Sequence, residues 1–148
     1  MTLHYSELCI IRCSLEGTSR SSISRDEVLA FIASCFREDD GGFAPAPLHD
    51  SHILATLCAV QLLVLFDALD DAHGWDAARL DRVAHYIGAL QLPDGSFGGD
   101  KWGEADTRYS LCALGTLVLI GRLDAKFANL SEALCFLCFN LQLHKWKL

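Results

Sequence analysis

The feature that most constrains the fold is a 54-residue repeat, in which a turn containing glycine and phenylalanine precedes an apolar helix. Phe43 and Phe97 mark the two turns, and each lies 15 positions before a cysteine, Cys58 and Cys112 respectively. Repeats of this length that contain two helices stack so that each buries the face of its neighbour. The repeat therefore predicts an all-α fold of stacked helical hairpins.

Hydrophobic periodicity predicts five helices, in which amphipathic outer helices alternate with nearly all-apolar inner helices. They are predicted to begin near residues 24, 51, 76, 107 and 131. Ser24 and Glu27 match a capping box for the first helix. Asp106 and Thr107 offer oxygens to cap the fourth, and Gly121 is expected to end it. About two and a half repeats would form an open arc.

Composition limits the class of protein further. Hydrophobic residues make up 51% of the 148 residues, and the formal net charge is −7. This acidity argues against a nucleic-acid-binding surface, which needs clustered lysine and arginine. No apolar run reaches the ~18 residues of a membrane span. The seven cysteines fall mostly in apolar helices, which favours reduced, buried thiols in a cytoplasmic protein.

Three groups of side chains are candidates for chemistry. His49, Asp50 and His52 could bind a metal, but a helix N-cap with two solvated imidazoles is the favoured interpretation. Glu104 and Asp106 could be a general acid and base, although capping and interaction with the helix dipole are favoured. The third group is Cys135 and Cys138, with His144 nearby, and it has the spacing of a zinc site. Because these cysteines lie in an apolar run, we interpret them as core thiols.

Arg108 stands in the first turn of an otherwise apolar helix and shares a face with Leu111, Cys112 and Gly115. Two alternatives carry equal weight: a buried ion pair with a nearby acidic residue, or a guanidinium that meets an anion in a cavity. The small Gly115 would leave room for a long apolar ligand.

Residues 99–110 read GDKWGEADTRYS and closely resemble a segment of the protein prenyltransferase β subunits, specifically the type II (Rab) geranylgeranyltransferases. Residues 49–61 are similar to the preceding repeat of that family, and residues 25–32 to the helix before it. The likeness runs from about Ser24 to Ala133. The farnesyl and type I geranylgeranyl β subunits are less similar across these residues.

The resemblance implies an α–α toroid around an apolar funnel that binds geranylgeranyl diphosphate. It also implies a heterodimer with a prenyltransferase α subunit, and a zinc ion that activates a cysteine thiolate of the substrate. The substrate would be a Rab protein delivered by an escort protein. The positions that match the isoprenoid pocket are Arg108, Leu111, Leu57 and Ala55, the last standing where type II enzymes tend to have an aromatic residue.

The departures from the family are equally specific. The zinc ligands of the family are an Asp-x-Cys pair and a histidine from later repeats, and the sequence is expected to stop before them. The repeat-equivalent position here reads Asp106-Thr107-Arg108, which supplies no thiolate. We therefore assign no catalytic or metal-binding residue and expect the chain to be inactive alone. Residues 1–23 are expected to be a poorly ordered, non-family segment, residues 24–140 the family repeats, and residues 141–148 an aberrant tail.

The sequence thus predicts the amino-terminal part of a type II β subunit, truncated relative to the family. One alternative is a non-catalytic fragment that binds an isoprenoid or pairs with an α subunit. A weaker alternative is a fragment of a terpene cyclase, which shares the toroid but needs an acidic motif that is not found here. An unrelated all-α repeat protein is the remaining alternative.

Overall fold

The computed structural model describes residues 24–104 and 106–123, and this part of the chain is helical. It contains α1 (Arg25–Cys35), α2 (Ile53–Leu65), α3 (Ala77–Ala89) and α4 (Arg108–Leu119), with a 3₁₀ turn at Asp71–His73. Within these residues the only strand-like pairings are two isolated bridges. The all-α prediction is confirmed, whereas the predicted fifth helix, residues 1–23 and residues 141–148 lie outside the described residues.

The 54-residue repeat is visible in the turns that join each outer helix to the inner helix after it. An antiparallel bridge links Phe36 to Phe43 after α1, and an equivalent bridge links Gln91 to Phe97 after α3. Both phenylalanines of the turns are buried, Phe43 at 0% and Phe97 at 2% exposure. These buried rings hold both turns against the core.

The inner helices also end in the same way. Asp67, just after α2, adopts a left-handed φ of 49°, and the N–H of Ala68 donates to Leu63 C=O at 2.8 Å. Gly121 occupies the equivalent position after α4 with φ 65°. This pattern is a Schellman motif, which satisfies carbonyl groups that the helix leaves unpaired. The predicted stop at Gly121 is confirmed.

The predicted caps at the helix starts are confirmed in one case and partly wrong in the other. Ser24 and Glu27 form the complete capping box at the start of α1. At the start of α4, Thr107 makes no side-chain cap. The Asp106 carboxylate instead accepts from the Arg108 N–H at 2.8 Å, because its two-residue reach satisfies a donor of the first turn.

The core lies where α2 packs along α4, and α3 also contacts α4. Phe36, Phe43 and Trp75 form an aromatic cluster at its first-repeat end, with ring centroids 5.1–5.3 Å apart. The predicted burial of cysteine holds at Cys35 and Cys112. None of the described helices has the length and apolar character needed to cross a membrane.

Candidate ligand-binding pocket

A cavity of about 420 Å³ opens at the amino-terminal end of α2. Leu54, Ala55 and Cys58, from the first turns of α2, form its apolar floor. Its rim is formed by the turn before α2 and by the second glycine-rich turn. The two turns meet where the Trp102 indole lies against Asp50. The volume lies within the range of small-molecule sites, ~300–1,000 Å³, and an apolar floor with a few polar rim groups is typical of them.

Gly99 explains why the second glycine-rich turn lies across the start of α2. Its C=O accepts from the Ile53 N–H at 2.8 Å. A Cβ at this position would lie 2.7 Å from Tyr109 Cε2 and 2.8 Å from His52 Nε2, closer than real contacts allow. Only glycine permits this approach, so the sequence at Gly99 places the turn against the pocket.

His52 connects the two repeats beside the pocket. Its Nδ1 accepts from the Leu54 N–H at 3.2 Å, which makes the ring the N-cap of α2. Because Nδ1 is the acceptor, Nε2 carries the proton of the neutral ring and donates to Glu104 Oε2 at 3.1 Å. The ring also packs edge-on against Tyr109, with centroids 5.4 Å apart. The predicted N-cap is thus confirmed for His52, although its imidazole is not simply solvated.

The same contacts set the ionisation of the neighbouring groups. Hydrogen bonds from His52 and Tyr109 lower the pKa of Glu104, so this carboxyl is ionised at neutral pH. Burial, reinforced by the bond to Glu104, raises the pKa of Tyr109 to about 12. Glu104 therefore accepts hydrogen bonds from a neighbouring repeat and a neighbouring helix, and it does not cap α4 as predicted.

A second connection crosses the mouth of the pocket. Lys101 Nζ lies 2.9 Å from Asp50 Oδ1, and the Trp102 indole N–H donates to Asp50 Oδ2 over 3.4 Å. Lys101 Nζ also stands 5.2 Å from the centre of the Trp102 ring. These contacts lower the pKa of Asp50 and raise that of Lys101. The indole is 75% exposed, so Trp102 is a rim residue rather than part of the core.

Of the four residues expected at an isoprenoid pocket, Ala55 alone lines this cavity, as part of its floor. Leu57 instead packs toward α4, where its Cδ1 lies 3.4 Å from the Cβ position of Gly115, so Leu57 fills the room expected beside that glycine. Leu111 is 57% exposed on α4 and lies outside the cavity lining.

Arg108 also lies outside the cavity lining, and it is not buried. Its side chain is 69% exposed and holds both carboxylate oxygens of Asp106, at 2.9 and 2.7 Å. This ion pair lowers the pKa of Asp106 to about 2. Of the two alternatives for Arg108, the structure shows the ion pair, but at the surface, because Asp106 lies only two residues away and captures the guanidinium there.

No three His, Cys, Asp or Glu side chains converge on a metal-binding geometry within residues 24–104 and 106–123. At the His49-Asp50-His52 group, both ring nitrogens of His52 are already engaged, by Leu54 and Glu104. Asp50 holds Lys101. The arrangement does not fit a metal. Cys135, Cys138 and His144 lie beyond the described residues.

The sequence analysis missed Leu54, Cys58 and Asp100 as pocket residues and did not assign Trp102 to a ligand site. A usable signal was present. The 54-residue repeat predicts that the second turn packs next to the first inner helix, and that helix begins at Ile53. The apolar residues in the first two turns of this helix were therefore candidates for the pocket lining.

Comparison with known proteins gives a consistent result. Residues 3–141 match the family described as the prenyltransferase alpha-alpha toroid domain. The chain is 41% identical over 122 residues to the geranylgeranyl transferase type-2 subunit beta of Saccharomyces cerevisiae, covering 82% of this chain and 37% of that protein. It is 37% identical over 125 residues to the Candida albicans subunit of the same name, covering 81% and 37%. It is 31% identical over 97 residues to a protein farnesyltransferase subunit beta of Schizosaccharomyces pombe, covering 64% of this chain and 25% of that protein. The chain thus spans little more than a third of the type-2 relatives it matches.

Proposed function

Because the chain belongs to the prenyltransferase alpha-alpha toroid family, we propose that it forms the amino-terminal part of a type-2 geranylgeranyl transferase β subunit. The observation that carries this proposal is the identity of 37–41% over four fifths of the chain to two such subunits. The parent reaction is transfer of a geranylgeranyl group from its diphosphate to C-terminal cysteines of Rab proteins. The partners are a prenyltransferase α subunit and a Rab protein with its escort.

The contribution of the described residues is to bind and position rather than to react. The floor formed by Leu54, Ala55 and Cys58 offers apolar surface to a hydrocarbon chain, which gains free energy by leaving water. Because the side chain of Ala55 is small, it leaves more of the cavity open than a larger residue at this position would. Leu111 offers further apolar surface on α4.

A metal does not fit the described residues. At the position that is repeat-equivalent to the family's Asp-x-Cys pair, both oxygens of Asp106 are bonded to the Arg108 guanidinium, whose positive charge would repel a cation. We therefore place no step of the reaction on these residues and assign the zinc of the family to other residues of the β subunit. The 148-residue chain alone is expected to transfer no prenyl group.

A chimera tests the proposal. Residues 24–123 replace the matching segment of the Saccharomyces cerevisiae type-2 β subunit, and transfer of radiolabelled geranylgeranyl to a Rab protein is measured with the α subunit and escort protein. An active chimera is the expected result. A chimera that binds the α subunit but transfers nothing would contradict the proposal, and the unmodified yeast subunit is the control.

A second candidate is an isoprenoid-binding fragment without catalysis, and the cavity is the observation that favours it. It predicts that the 148-residue chain binds geranylgeraniol while transferring nothing. Leu54→Gln puts a polar amide into the apolar lining and should weaken binding about tenfold, whereas Val64→Gln, at an exposed position of the same helix, should leave affinity unchanged. Equal binding by both variants would exclude the cavity as the site.

A further inference from the structure

The loop tip, defined as residues 100–103, forms one wall of the pocket, and it is attached differently from its base. The base is closed by main-chain hydrogen bonds: Gly99 N–H donates to Glu104 C=O at 2.7 Å, and Gly99 C=O accepts from Ile53. His52 adds a side-chain bond to Glu104. Main-chain bonds packed against the start of α2 hold the base in one place.

Asp100 Oδ1 accepts from the Glu104 N–H over 3.5 Å, which ties the start of the tip to the base. Beyond the base, the described residues hold the tip through one carboxylate, Asp50. One oxygen of Asp50 faces Lys101 and the other faces the Trp102 indole at a long 3.4 Å. The Lys101 and Asp50 side chains are 58% and 53% exposed, and exposed ion pairs hold side chains only weakly. A bond from the Trp102 N–H to Asp100 keeps the tip rigid within itself.

Because the contact that fastens the tip to Asp50 is weak and exposed, releasing it costs little free energy. In the closed arrangement Trp102 and Asp100 stand in the wall of the pocket. Releasing Asp50 would let the Trp102 indole swing away from the apolar floor, while Asp100 stays bonded to the base. We propose that the loop tip is a gate for an uncharged, chain-like apolar ligand, and that Asp50 is its latch. The gate rests on the proposed function in so far as that ligand is an isoprenoid.

The gate has a kinetic signature that a plain wall lacks. A latch that controls entry and exit slows association and dissociation together, because the ligand passes only through the open arrangement. Removing the latch should accelerate both rates by about two- to fivefold, the shift that loss of a weak exposed pair allows, and leave Kd within about twofold. A residue that only contacts the ligand would change dissociation and Kd instead.

The test uses the full chain and the variant Asp50→Ala, with Asp71→Ala as the control because it removes an exposed carboxylate far along the chain from the pocket. The probe is N-phenyl-1-naphthylamine, whose lack of charge avoids direct electrostatic effects. Stopped-flow fluorescence gives both rates. Indole ¹⁵N relaxation dispersion reports exchange at Trp102, and the buried Trp75 is the internal reference.

We expect Asp50→Ala to raise both rates and increase exchange at Trp102 alone, with Asp71→Ala unchanged. Lys101→Met, which opens the latch from the other side, should reproduce the effect. Saturable binding with unchanged rates in both variants would overturn the gate and leave the proposed function standing. Failure of the wild-type chain to bind the probe would overturn the gate together with the isoprenoid pocket, whereas the chimera's transfer activity would still report on the family function.

Discussion

Thr56 and Ser110 occupy equivalent positions in the two repeats, and a substitution at each should give opposite results. Both side chains are fully buried. Thr56 Oγ1 accepts from the Phe43 N–H at 3.0 Å and donates to His52 C=O at 3.0 Å. Ser110 Oγ finds no hydrogen-bond partner among the described residues. The hydroxyl at this position therefore holds a turn in the first repeat, whereas its equivalent in the second repeat makes no hydrogen bond among the described residues.

Thr56→Val preserves shape but leaves the buried Phe43 N–H without an acceptor. The His52 carbonyl keeps its bond from the Thr56 main-chain N–H at 2.9 Å, so one donor alone is orphaned. An unsatisfied buried donor costs about 1–3 kcal/mol, and we expect a loss of about 2 kcal/mol in the free energy of unfolding. Ser110→Ala removes a buried hydroxyl without a partner and improves helix propensity, so it should be neutral or stabilising.

Urea unfolding of the full chain, followed by circular dichroism at 222 nm, measures both changes. With a slope of about 2 kcal/mol/M, Thr56→Val should lower the midpoint by about 1 M. Trp75 fluorescence should report the same transition, because its ring centroid lies 5.2 Å from that of Phe43. Equal losses for the two variants, or a larger loss for Ser110→Ala, would refute the reasoning.

Three further predictions follow from single contacts. Arg108→Ala should raise the pKa of Asp106 from about 2 toward its ordinary value, as measured by ¹³C carboxyl NMR. Because this pKa is lowered in the folded chain, the ion pair stabilises the fold at pH values above the ordinary pKa of the carboxyl. This stabilisation is lost as the pH falls through about 2. Gly121→Ala should cost about 1 kcal/mol in urea unfolding, because its φ of 65° disfavours a Cβ although nothing lies within 4 Å of that position. Burial raises the pKa of the Cys112 thiol to about 11. Iodoacetamide at pH 8 should therefore alkylate this thiol at least ~10-fold more slowly in the folded chain than in urea, as measured by peptide mass mapping. Equal rates in the two conditions would contradict its burial.

The elements that the sequence predicted correctly depend on interactions between residues close in the chain. The capping box needs only Ser24 and Glu27, and the stop of α4 needs only the left-handed conformation that Gly121 adopts. Phe43 and Phe97 were identified because their spacing repeats. The predicted starts of the four described helices were one or two residues early, because residues such as Ser51 precede α2 without joining it.

The pocket was harder to predict because its defining contacts join residues about fifty positions apart. Asp50 meets Lys101, and His52 meets Glu104, across the junction of two repeats. A repeat period predicts that these segments are neighbours but not which donor meets which acceptor. Arg108 shows the opposite error: the apolar helix suggested burial, yet a local partner two residues away decided its position.

The repeat scaffold and the site it carries are specified by different residues. His52 and Asp106 are equivalent in the 54-residue period, and each lies at the start of an inner helix. His52 caps its own helix with one nitrogen and uses the other to reach Glu104 in the next repeat. Both carboxylate oxygens of Asp106 instead accept hydrogen bonds from Arg108, in the helix that follows it. The first of these arrangements joins the following glycine-rich turn to a helix start, and the described residues enclose a pocket there. The buried Phe43 and Phe97 recur with the repeat, and together with Gly99 they hold the turns in place. The side-chain contacts that border the pocket depend instead on His52 bonding across to Glu104, which the repeat period alone does not predict.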